Sequence, residues 1–191
     1  MMIEEDQDER QKGIENLIVL ILGASDRKQL SMLHLEKESF LLWNFHPGIK
    51  AFIDFIKHYH GPYSVEIKET VEKPMYCIEC WHYIRPGKGD RLTGGYVQLT
   101  QKGIREHNRL VRKLMKDPDL RQLFSAIKIV RRLYDELSPE ELLLLIYSTY
   151  PEYIKMSDVY KEIASKRESL SYGLMKRGLI DQKRLESLVG R

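Results

Sequence analysis

The sequence predicts a mainly α-helical protein with one small β-hairpin. Three observations carry this reading. Apolar residues recur at helical spacing through most of the chain. Helix-capping residues, Ser64, Thr100, Asp117 and Ser138, stand just before such stretches. One aromatic and β-branched stretch, Tyr76 to Ile84, is followed by Gly- and Pro-containing turn material and a second strand-like run, Tyr96 to Thr100. Helices followed by such a hairpin make a winged helix-turn-helix pattern over residues 12–100, and a helical C-terminal region fills 101–191. No Gly/Ser-rich linker separates the two parts, so the helix after the hairpin is expected to join them rigidly.

Each element follows in order. Residues 1–11 are polar and expected to fray. Ile14, Leu17, Ile18, Leu20, Ile21 and Leu22 give a short, well-buried helix that GASDRKQ ends. A second helix begins near Ser31 with Leu33, Leu35, Phe40, Leu41 and Trp43 on its apolar face, and Pro47 stops it. Residues 49–56 add a short helical turn. Gly61-Pro62 is a turn, and HYHGPYS reads as a rigid lead into a helix over 64–73. In that helix Ser64 is the cap, Glu66 sits in the first turn, and Val65, Ile67 and Val71 face the core. The hairpin has a long basic tip. Thr100 then caps a helix over 101–116, and Asp117 with Pro118 opens another that continues to Leu137. Ser138 and Glu141 form a capping box for a helix whose Leu142 to Tyr147 run is apolar on every side, hence central or at an oligomer interface. Ser157 caps a restart, and Leu170 to Leu188 completes the chain.

Composition narrows the class. Charged residues make up 31% of the 191 and the net charge is only +3, so the local distribution of charge matters more than the total. No run of ~20 apolar residues could span a bilayer, and the acidic N-terminus is unlike a signal peptide, so a cytoplasmic protein without membrane contact is expected. Abundant Lys and Glu beside few Gln suggest a thermophilic source.

The second helix carries Leu35, Glu36, Lys37 and Phe40; then come His60, Gly61, Pro62, Tyr63 and Ser64, and the hairpin closes on Tyr96, Leu99, Thr100 and Gly103. On these residues the span from Ile14 to Gly103 resembles the YwgA-like family of small prokaryotic winged-helix proteins, and more distantly the Panacea antitoxin domain. The segment LSPEELLLLIYSTYPEY is similar to uncharacterised archaeal proteins. The resemblance implies a winged-helix fold and a regulatory or antitoxin-like role, and it transfers no catalytic residue. The C-terminal half departs from the family's short pattern.

Cys77 and Cys80, with His82 two places on, are the most metal-like feature, with His46, His58 and His60 as the upstream histidines. A structural zinc site needs four ligands, and one Cys-x-x-Cys supplies two. On a regular strand residues 77 and 80 would face opposite ways, so packing residues are expected and neither a metal nor a cofactor. No orienting third group supports a Cys-His nucleophile, and phosphate-binding, zincin and nucleophile-elbow motifs are absent. An enzyme is the least favoured class.

From His82 to Lys116 there are nine basic residues against Asp90 and Glu106. Arg85, Lys88 and Arg91 on the tip and Lys102, Arg105 and Arg109 on the following helix are the expected contacts to the phosphates of double-stranded DNA. The helix over 64–73 stands in the recognition position but carries Glu66, Glu69 and Glu72 against Lys68 and Lys73, which argues against base reading there. The expected function is a homo-oligomeric, DNA-binding winged-helix transcriptional regulator. The alternative is a protein-interaction module, antitoxin-like or scaffolding, that uses the acidic helix or the C-terminal helices. Tyr147, Tyr150, Tyr153, Tyr160 and Tyr172 are candidate interface anchors, although core packing suits most of them better.

Overall fold

Helix α1 runs from Met2 to Gly23, so the polar N-terminal residues extend the first helix rather than fray from it. The computed structural model describes residues 2–190, with side chains from Gln7 onward. Arg10 holds this extension in place, donating to the Phe52 carbonyl at 2.9 Å and to Glu66 at 2.8 Å. Strand β1 (Gln29–Ser31), unanticipated in the sequence, leads into α2 (Met32–Phe45), which Ser31 caps. Pro47 does end α2, but the short helix beyond it, α3, is confined to Pro47–Lys50.

The next segment corrects the sequence reading. Residues 56–63 fold as an antiparallel hairpin of β2 (Ile56–His58) and β3 (Gly61–Tyr63), with His58 paired to Gly61. Ser64 then caps α4 (Val65–Glu72) by accepting from the Ile67 amide, with Ile67 and Val71 buried and Val65 43% exposed. Only Trp81–Ile84 of the expected first strand is extended, as β4; residues 75–80 form turns. Strand β5 (Tyr96–Leu99) lies between β1 and β4 in a three-stranded antiparallel sheet of order β1-β5-β4.

Thr100 caps α5 (Gln101–Leu114) and Asp117 caps α6 (Pro118–Tyr134). The capping box of Ser138 and Glu141 opens α7 (Pro139–Thr149). A 3-10 helix (Pro151–Met156) precedes α8 (Tyr160–Ser165), α9 (Arg167–Lys176) and α10 (Gln182–Val189). Ser157 is not the cap of α8; its hydroxyl lies 2.7 Å from that of Tyr147. The protein is thus mainly helical with small antiparallel sheets.

One buried apolar cluster runs from Ile14 in α1 to Leu174 in α9. Helix α7 lies inside it: Leu142, Leu143, Leu144, Ile146 and Tyr147 are all buried within this one chain. Of the C-terminal tyrosines, Tyr153 is buried as well and Tyr172 is 49% exposed.

Candidate functional site

Helix α2 is buried along its whole first three turns, polar residues included: His34, Glu36, Lys37, Glu38 and Ser39 are each 5% exposed or less. Charges survive in an apolar interior only when paired. Lys37 donates to the Pro62 carbonyl at 2.8 Å and lies 3.4 Å from Glu36. Arg131 of α6 sits 3.2 Å from Glu38 and 3.0 Å from Asp135. Burial pushes the Glu36 and Glu38 carboxyls up to about 7 and pulls the Lys37 ammonium down. His34 lies 2.9 Å from the Leu137 carbonyl through Nε2, and its Nδ1 is 2.7 Å from the Ser31 hydroxyl. A carbonyl only accepts, so Nε2 carries the proton and Nδ1 accepts from Ser31.

The HGPYS residues sit on this helix. Gly61 has φ +85°, and a Cβ there would approach the Tyr147 ring at 3.4 Å and the Lys37 side chain at 3.7 Å. His58 stacks on Tyr63, with ring centroids 4.4 Å apart. His60 lies 3.5 Å from Asp158, whose amide donates to the Tyr59 carbonyl. Burial lowers the pKa of both histidines, so neither is a ready proton donor near neutrality. The motif therefore builds a strand seated over Lys37 as well as a helix cap.

The cysteines lie elsewhere. Residues 77–80 form a turn, with the Cys80 amide donating to the Cys77 carbonyl at 2.9 Å and Glu79 at φ 64°. The opposite-face expectation for Cys77 and Cys80 is thereby overturned, because the strand starts only at Trp81. Both thiols are buried, and burial raises their pKa. Glu15, fully buried in α1, accepts the amides of Met75, Tyr76 and Cys77. Among the described residues no three His, Cys, Asp or Glu side chains group as a metal site.

The expected phosphate contacts divide into two sets. Arg85, Lys88 and Arg91 are exposed in the segment joining β4 to β5. That segment is well tied: Asp90 accepts from the Thr93 amide, Tyr83 donates to the Gly94 carbonyl, and the Met32 and Leu33 amides of α2 donate to Gly95 and Thr93. Lys102, Arg105 and Arg109 lie on α5, which begins at the other end of the β4–β5 hairpin, where the Thr100 amide donates to Cys80. Gly103 is required there, since a Cβ would fall 2.0 Å from the Cys80 carbonyl.

Helix α5 buries Gly103, Leu110 and Leu114. Lys102, Arg105, Arg109, Arg112 and Lys113 are all exposed, and at 100° per residue they fall on the opposite face. Lys102 is 3.6 Å from Glu79, and Arg109 is held bidentately by Glu106. Arg105, Arg112 and Lys113 have no carboxylate within ion-pair distance among the described residues. Helix α4 is opposite in character: Glu66 is tied to Arg10, and Lys68 is spent on Glu72 and the Tyr83 hydroxyl.

No protein-family model matches this chain, and no curated protein matches it. Among the described residues no helix is long and apolar enough to cross a membrane.

Proposed function

We propose that the protein is a winged-helix regulator that binds double-stranded DNA through its phosphates, with α5 as the principal contact. One observation carries this reading: five exposed cations lie on one face of α5 against the single carboxylate Glu106, in a chain whose whole net charge is +3. Cations placed in a row on a rigid helix release condensed counterions when they meet a polyanion. At about 1.5 Å per residue the stripe extends over roughly 15 Å, enough to follow more than one phosphate of a strand.

Helices α1, α2 and α4 with the sheet β1-β5-β4 support the winged-helix assignment, with α3 and the β2–β3 hairpin inserted between α2 and α4, as does the resemblance of the HGPYS and YVQLTQKG segments to YwgA-like proteins. Helix α4, in the recognition position, is acidic and has side chains tied laterally, so base reading by it is not part of the proposal. Arg85, Lys88 and Arg91 contribute a second, separate phosphate contact from the wing tip. A homo-oligomer and a location in the cytoplasm fit such a regulator.

The test is fluorescence anisotropy with a random-sequence duplex across a salt series. The wild type is expected to bind, with affinity falling steeply as salt rises. Replacing Arg105, Arg112 and Lys113 together by Gln is expected to flatten the log–log salt slope by about 2–3. No binding at low salt, or a slope unchanged by the triple variant, would sink the proposal and favour a protein-interaction module.

A further inference from the structure

We propose that the free edge of β1 takes an extended segment of a partner protein as an added strand, independently of any DNA contact. The hydrogen-bond register points to it. Leu99 donates to the Lys28 carbonyl at 2.8 Å and Met32 donates to the Gly95 carbonyl at 2.9 Å. With Leu30 opposite Val97, the bonded pairs of this antiparallel ladder are therefore 28/99, 30/97 and 32/95. The alternate residues, Gln29 and Ser31, turn their main-chain groups away from β5. Because β1 is an outer strand of the sheet, those groups meet no further strand.

The Gln29 amide, the Gln29 carbonyl and the Ser31 amide have no partner among the described residues. The Ser31 hydroxyl, by contrast, caps α2 by accepting the His34 amide. Two donors flanking an acceptor at strand spacing match the main chain of another extended peptide, which is what identifies the occupant as polypeptide. Ser31 is itself only 5% exposed, so its amide is poorly served by bulk water.

A groove of about 680 Å³ opens along this edge. Its lining joins Gln29 and Ser31 of β1 and their cross-strand neighbours Gln98 and Tyr96 on one sheet face to Leu137 and Pro139 at the α6–α7 junction. The charges on the groove are unequal in availability. Asp135 is engaged by Arg131 at 3.0 Å and by the Ser25 hydroxyl at 2.6 Å. The Lys28 ammonium is spent on the Gly23 and Ser25 carbonyls. Arg27 is exposed and has no carboxylate within ion-pair distance among the described residues. The groove therefore selects an extended segment with an acidic residue opposite Arg27 and an apolar one against Leu137 and Pro139.

The strand contains no proline, and Arg131 of α6 donates to the Arg27 carbonyl at 3.4 Å at its N-terminal end, so the open part of the edge is the short stretch Gln29–Ser31. A three-residue contact also makes the complex weak and fast-exchanging.

The experiment starts with selection from a displayed random-heptapeptide library on the immobilised full-length chain. The best enriched sequence is then titrated as a synthetic peptide into the ¹⁵N-labelled protein. The expected result is an acidic, extended consensus whose binding shifts the Gln29 and Ser31 amides. Gln29→Pro removes the outward donor and leaves every β1–β5 hydrogen bond in place, so it is expected to weaken binding at least about tenfold. Arg27→Glu is expected to weaken it comparably. If Gln29→Pro does not fold, the wild-type amide shifts decide alone. No enriched peptide, or shifts confined to another surface, would overturn the proposal.

Discussion

Arg131 is a buried charge whose loss the interior is expected to tolerate poorly. It is 1% exposed and neutralises Glu38, which is wholly buried. Arg131→Met is expected to cost about 3–5 kcal/mol in denaturant unfolding, because it leaves a carboxylate uncompensated, and adding Glu38→Gln should restore much of that loss. His34 makes a pH prediction. Burial depresses its pKa below the ordinary 6.5, so the unfolded chain takes up the proton more readily than the folded one. Its contribution to stability is present above pH 6.5 and is lost as the pH falls below it. Glu36 and Glu38 act in the opposite sense: their raised values mean that stability drops as the pH rises from 4.5 toward 7. Comparing wild type with His34→Gln isolates the histidine, and the stability advantage of wild type is expected to shrink as the pH falls below 6.5. None of this was legible in the sequence. The sequence shows only the apolar face of this helix, because the partners of its polar residues, Arg131 and Leu137, lie 93 and 103 positions away.

At the scale of the element four of the five expected caps read cleanly, and Ser157 did not. Ser64, Thr100, Asp117 and Ser138 each accept the amides that the sequence assigns them, because capping depends on residues two or three apart. The β2–β3 hairpin did not read, because Gly61-Pro62 has the same turn signature whether it precedes a helix or forms a strand. The Pro62 carbonyl of this hairpin accepts from Lys37, a contact across 25 positions. Strand β1 was missed for a similar reason: three residues carry no period, and pairing with β5 alone makes them a strand. Gly61→Ala should cost about 1–2 kcal/mol in chemical denaturation, since φ +85° strains any L side chain. Ser138→Ala should cost about 1 kcal/mol through loss of the capping box. Lys102, Arg105 and Arg109 were named from the sequence, whereas the single face they share with Arg112 and Lys113 emerges from the helix bounds and its buried side.

The whole molecule shares one interior across residue 100. Glu38 and Arg131, His34 and Leu137, and Gly61 and Tyr147 each join the two sides. A single calorimetric transition is therefore expected for the full chain, and a fragment ending at residue 100 should show no cooperative melt, because it would expose the apolar and charged surface of α2. The buried carboxylate of Glu15 has a further consequence at this scale. By holding three successive amides ahead of β4, it makes α1 and the chain that enters β4 one mechanical body. A force applied to the chain entering β4 is then carried through main-chain hydrogen bonds into the longest helix of the described chain, as a lever is by its fulcrum.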